Sequence, residues 1–333
     1  MTTFGTTAAI FGCNGPQLLP DEHAFFRDAD PFGFIVFARN VETPDQLYRL
    51  TSDLRAAVGR DALVLIDQEG GRVQRMRAPH WRDWTPPLDT ITAAKDRDAA
   101  CRQMALRATL IASELRAVGI DANCAPVADI ATDATHPFLR NRCYGTDAVT
   151  VTAIARAVAD AYLAGGVLPV VKHMPGHGRA TGDTHLDLPT VATDAATLNA
   201  TDFAPFRALA DLPMAMTAHI VFSAFDAANP ATQSPRMIDL IRTGIGFSGL
   251  LMTDDLNMQA LSGTLSDRTS RSMTAGCDLA LHCKGDLAEM QLVATAAGPM
   301  RADTQLRAAR ALALRAPARA IDIAAVEAEL AHA

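Results

Sequence analysis

The segment 170–189, VVKHMPGHGRATGDTHLDLP, places His173, His177 and His185 beside Asp183 and Asp187 in a stretch interrupted by Gly176, Gly178 and Gly182. Imidazole exchanges protons near neutral pH, and Asp183, two residues before His185, is spaced to orient its ring, so the segment suits general acid/base chemistry. The same histidines admit two other readings, as ligands of a metal ion or as hydrogen-bonded structural side chains. Neither H-E-x-x-H nor another tight ligand pair accompanies them. Two further segments end an apolar run in acidic residues: LVLIDQEGGRVQRMR at 63–77 and GLLMTDDLNM at 249–258.

Groups so far apart in the chain need a scaffold that brings them together. Short apolar runs, each long enough for a buried strand, occur at 8–11, 34–37, 63–66, 122–127, 167–171, 214–217, 250–252 and 279–281. Stretches of helical period lie between most of them, as at 98–118, 149–164 and 266–275, so the pattern is βα repeated. Eight such units predict an α/β fold, a single (β/α)8 TIM barrel over 1–333, with the Ala/Arg-rich tail from about 301 forming helices packed on its outside. The runs empty into Asp67-Gln68-Glu69, Asp129, Lys172-His173, His219, Asp254-Asp255 and His282. In such barrels the active site is assembled at the C-terminal ends of the strands, where these residues would converge. A doubly wound open sheet also alternates strand and helix, but FGCNGPQ after the first run is not the glycine fingerprint of its first βα turn.

Composition narrows the partners. A net charge of -7 across 333 residues gives no electrostatic reason to expect nucleic acid or an anionic membrane, which leaves small neutral substrates. The sequence has neither a basic segment followed by a long apolar one at its start nor an apolar run of the ~20 residues a membrane span needs, and a cytoplasmic location is expected. Cys13, Cys101, Cys124, Cys143, Cys277 and Cys283 include no C-x-x-C pair and read as reduced, mostly buried thiols.

Together, and in this order, the three segments resemble the family 3 β-N-acetylhexosaminidases, bacterial enzymes that remove terminal N-acetylglucosamine and act in peptidoglycan recycling. The similarity runs over about residues 8–290. It implies that Asp254, the aspartate after Thr253 in T-D-D-L, attacks the anomeric carbon. An ionised carboxylate there stabilises an oxocarbenium-like transition state and then forms a covalent glycosyl-enzyme, with Asp255 in a hydrogen-bonding part. It also places the acid/base on His185 of the D-x-H motif, with Asp183 as its dyad partner. A histidine avoids a second negative charge beside the departing and incoming oxygens, and its ordinary pKa of about 6.5 is near neutrality.

Sugar-binding positions carry over to Asp67 and Arg75 of D-Q-E-G-G-R-V-Q-R, to Lys172 and His173 of K-H-M-P-G-H-G, and to Arg142 of N-R-C-Y-G, with Arg140 the alternative there. The family commonly has R-S-F-G at that last stretch and Phe where Met174 stands, departures that alter packing more than chemistry. Glu69, Arg72, His177 and His219 are expected beside the pocket and Asp129 as a carboxylate that fixes neighbouring donors; none is assigned to catalysis. The expected reaction is a retaining exo-hydrolysis without metal or organic cofactor, on a GlcNAc-anhydromuropeptide type of substrate, by a monomer. Transfer to phosphate instead of water is a variant of the same mechanism. A metal-dependent barrel hydrolase using His173, His177 and His185 with Asp254, and a catalytically dead sugar-binding protein, are the rival readings.

Overall fold

The computed structural model describes residues 4–182, 188–317 and 320–332. Eight parallel strands close into a barrel: β1 (Thr7–Gly12), β2 (Pro31–Val36), β3 (Leu63–Ile66), β4 (Ala122–Asn123), β5 (Leu168–Met174), β6 (Met214–Thr217), β7 (Leu250–Asp255) and β8 (Leu279–His282). Each pairs with its neighbour in sequence order and β1 closes on β8, with Ala9 opposite Ala280 and Ile10 opposite Leu281. This is the (β/α)8 TIM barrel that the alternation of runs predicts. The strands read as continuous apolar runs because helices cover their outer face while side chains fill the interior; all four residues of β3 are buried.

The three expected helices form at Arg97–Ala117, Ala148–Ala164 and Leu265–Ala275. Their starts are fixed by side-chain caps: Asp96 accepts from the N–H of Ala99, Asp147 from that of Thr150, and Thr264 from that of Asp267. In the C-terminal tail, helix Ala302–Ala313 is tied to the start of β8 by hydrogen bonds of 2.8 Å from Thr304 and 2.7 Å from Arg307 to Asp278. Helix Ile323–His332 lies against Arg97–Ala117, where Arg102 donates to Glu329 at 2.8 Å. Among the described residues no helix is long and apolar enough to cross a membrane.

Three strands end three or more residues away from the sequence expectation, and two of these differences position the site. The run at 122–127 yields only Ala122–Asn123, because Pro126 has no N–H to give the ladder. The chain still follows β5, with Val170 donating to the carbonyl of Ala125, Lys172 to that of Pro126, and Ala128 to that of Lys172. β5 runs on through Met174 and β7 through Asp255, so Lys172, His173 and Asp254 are held in the sheet itself rather than in loops beyond it.

Candidate active site

The C-terminal ends of the strands open into a cleft lined by Phe37, Asp67, Arg75, Arg142, Lys172, His173 and Asp254, among others. Six of the eight residues singled out in the sequence therefore line one cavity. The other two, Asp183 and His185, lie outside the described residues.

The tripeptide Asp67-Gln68-Glu69 divides its work. Asp67 faces the cleft and accepts from Lys172 Nζ at 2.8 Å and from Arg75 Nη2 at 3.2 Å. Burial opposes its ionisation, but Lys172 and then Arg75 hold its carboxyl below the usual carboxylate range. Gln68 turns away and fixes the following loop, accepting from the N–H groups of Arg75 and Met76 and donating to the carbonyl of Met76. Glu69 is fully buried and clamps two cations: Arg142 donates from Nε and Nη2, both at 2.9 Å, and Lys172 Nζ lies 2.6 Å from Oε1. Such bidentate, charge-assisted bonding fixes the plane of the guanidinium as well as its distance. Arg142 is thus the arginine of N-R-C-Y-G that reaches the cleft, whereas Arg140 bonds the carbonyl of Thr132 and pairs with Asp133.

His173 is anchored from below. Its Nδ1 lies 2.7 Å from Asp129 Oδ2, and its backbone N–H and that of His177 donate to Asp129 Oδ1 at 3.2 and 2.7 Å. Asp129 is the fixing carboxylate expected from CAPVAD; burial works against its charge, and His173 chiefly outweighs it. Gly178 follows where no side chain fits, because a Cβ would stand 1.8 Å from the carbonyl oxygen of Ile130. Burial, then the neighbouring His173, pushes the His177 ring down to about 4, so it is neutral at neutral pH.

Asp254, near the end of β7, accepts the N–H of Asp255 at 2.8 Å. Burial alone would raise its pKa; His219, His173, that N–H and Lys172 hold it below the ordinary carboxylate value. Its neighbour Asp255 behaves oppositely, pushed up to about 6 by burial although it accepts from the N–H groups of Asn257 and Cys283. His219 is buried between Thr232 Oγ1 at 2.8 Å and the carbonyl of Asp255 at 3.1 Å, where it steadies the strand end. An ionised carboxylate in a cleft lined by fixed polar groups is suited to glycosyl transfer to water. Among the described residues no three His, Cys, Asp or Glu side chains gather as metal ligands.

Residues 23–310 match the glycosyl hydrolase family 3 N-terminal domain. The chain belongs to glycoside hydrolase family 3. This family 3 enzyme is 36% identical over 279 residues to a β-hexosaminidase of Methylococcus capsulatus, covering 82% of each chain. Its fold matches that of NagZ from Neisseria gonorrhoeae, solved with N-trifluoroacetyl-D-glucosamine, with a TM-score of 0.84 and 28% identity over 99% of this chain and 95% of that one. A family 3 β-N-acetylglucosaminidase from a Paenibacillus species gives the same TM-score at 30% identity over 95% of this chain, which spans 63% of that longer enzyme. The chain is a glycoside hydrolase of the bacterial β-N-acetylhexosaminidase type, as its three motifs imply.

Sequence reasoning set Glu69 aside, yet it joins two cations of the cleft, Arg142 and Lys172. Its signal was its place two residues after Asp67, on the same loop, but no spacing announces a meeting with Arg142. The apolar walls Phe37, Phe138, Met216 and Met258 also carried no signal, since such residues are more often core.

Proposed function

We propose that this enzyme is a retaining exo-β-N-acetylglucosaminidase, one catalytic domain that removes terminal β-linked N-acetylglucosamine from peptidoglycan-derived muropeptides during wall recycling in the cytoplasm, as a monomer. The observation that carries the reading is the cleft itself: an Asp254 carboxylate kept ionised despite burial shares it with Asp67, Arg75, Arg142, Lys172 and His173. In the first step His185, oriented by Asp183, protonates the leaving oxygen while Asp254 attacks the anomeric carbon and forms a glycosyl-enzyme. In the second the neutral imidazole takes a proton from water, which displaces Asp254 and restores the starting configuration. The clamp of Glu69 on Arg142 and Lys172, and of Asp129 on His173, holds the sugar-facing donors fixed before substrate arrives, so little reorganisation remains for the transition state.

An aryl β-N-acetylglucosaminide with a good leaving group, assayed with EDTA present, tests this. Turnover by the wild type that is lost in Asp254→Ala and His185→Ala supports it, and NMR of the first-formed sugar should show the β anomer. Turnover that appears only when zinc is supplied would overturn it in favour of a metallohydrolase.

A further inference from the structure

The turn after β3 holds an arginine at the mouth of the cleft. The N–H groups of Glu69 and Gly70 both donate to the carbonyl of Val73, at 2.9 and 3.0 Å, and Arg77 Nη2 donates to the carbonyls of Gly71 and Arg72. Gly70, at φ +93°, has no room for a side chain, because a Cβ would stand 1.8 Å from Arg107 Nη2. Val73, at one end of this turn, lines the cleft. Arg72, between, is exposed, and its guanidinium carbon lies 4.5 Å from the centroid of the Phe138 ring, which is itself a cleft wall.

The arginines around it are committed. Arg75 pairs with Asp67, Arg77 with Asp83, Arg82 with Glu114, Arg140 with Asp133 and Arg142 with Glu69. Among the described residues Arg72 has no carboxylate partner, and its positive charge is offset only by the face of Phe138. A guanidinium held over an aromatic ring keeps N–H groups for a planar, two-oxygen acceptor, and the contact removes part of the side-chain freedom that binding would otherwise cost. Deeper in the cleft the cations Arg75, Arg142 and Lys172 are already paired with Asp67 and Glu69, and Asp254 adds negative charge there, so a negative group is better met at the mouth.

We propose that Arg72 reads a carboxylate on the aglycone, making the enzyme selective for N-acetylglucosaminides whose leaving half is anionic. The inference rests on the activity proposed above and assigns a specificity role to a residue outside the sugar pocket. It is tested with two disaccharides, N-acetylglucosaminyl-β-1,4-N-acetylmuramyl-L-alanine and the same compound with its alanine carboxylate converted to the methylamide, alongside a neutral aryl β-N-acetylglucosaminide. The wild type should favour the acid over the amide by about three- to tenfold in kcat/KM at low ionic strength, a typical size for a charge-assisted contact at a wet rim, and the preference should shrink as salt is added. In Arg72→Gln the preference should vanish while the aryl glycoside is turned over within about twofold of wild type; Arg72→Lys should retain part of it. A wild type that cleaves both disaccharides equally, or an unchanged preference in Arg72→Gln, overturns the role of Arg72 and leaves the activity standing. Failure of the wild type on all three compounds overturns the activity and this inference with it.

Discussion

The two ends of the barrel treat buried carboxylates in opposite ways. At the end where the strands begin, Asp121 and Asp278 are buried and saturated. Asp121 accepts from the N–H of Val64 at 2.8 Å, from Arg55 at 3.1 Å and from Arg315 at 2.9 Å. Asp278 accepts from the N–H of Leu251, from Thr304, from Arg242 at 2.6 Å and from Arg307 at 2.7 Å. Each ties a neighbouring strand to peripheral arginines, Asp278 through four hydrogen bonds and Asp121 through three, which leaves little capacity over. At the end where the strands finish, the only hydrogen bond to Asp254 among the described residues comes from the adjacent N–H, and the rest of its capacity faces the cleft. Charge at one end is spent on closure and at the other is kept available, the division between stability and catalysis that barrel enzymes follow.

Breaking that comparison calls for changes whose effects fall on one side only. The largest is expected from Asp254→Ala, which should lower kcat by at least about 10³-fold with an unchanged or raised melting temperature; a variant that loses stability but keeps turnover would erase the distinction. Next, Asp278→Asn should leave Arg242 and Arg307 under-compensated and cost roughly 3–5 kcal/mol in a denaturant titration, with kcat of the folded fraction nearly intact. Glu69→Gln sharpens the comparison, since Glu69 is saturated like the lower carboxylates but belongs to the upper end. Its loss should lower kcat/KM by about 10- to 100-fold, mainly through KM, as Arg142 and Lys172 lose their fixed geometry.

The smallest effect concerns pH. His282, at the end of β8, is buried with no hydrogen bond to either ring nitrogen among the described residues, and burial pushes it down to about 4. The unfolded chain takes up a proton on this ring as pH falls below about 6.5, whereas the folded protein does so only near 4. Across that window the unfolded state therefore holds more protons, and the ring lowers stability as pH falls. Melting curves of His282→Leu should consequently lose less on acidification from pH 6.5 to 4 than those of the wild type; equal losses would mean that the ring titrates normally in the fold.

Much of this was legible in the sequence. Each of the eight apolar runs became a barrel strand, and the polar residues at their ends marked one face, because a short buried strand has little choice but to be apolar until it reaches the cleft. Boundaries were less legible: β5 and β7 carry Lys172, His173 and Asp254 inside the sheet, since pairing with neighbours can extend a strand into polar sequence. The charge networks were hidden. Asp278 looks like any residue before a strand, and its arginines come from 36 residues earlier and 29 later. Glu69 meets Arg142 across 73 residues, a distance that only barrel closure collapses.

The Glu69 clamp has a consequence for how such an enzyme changes over time. Its members come from the ends of β3 and β5 and from the loop between β4 and β5, so the donors proposed to read the sugar belong to the first half of the barrel, whereas Asp254 belongs to the second. Recognition and bond cleavage are thus inherited on separate stretches of one gene. Substitutions between about 63 and 174 can retune which sugar is accepted while the proposed nucleophile stays on its strand, and a recombination point between the end of β5 and residue 183 would exchange one capacity without the other.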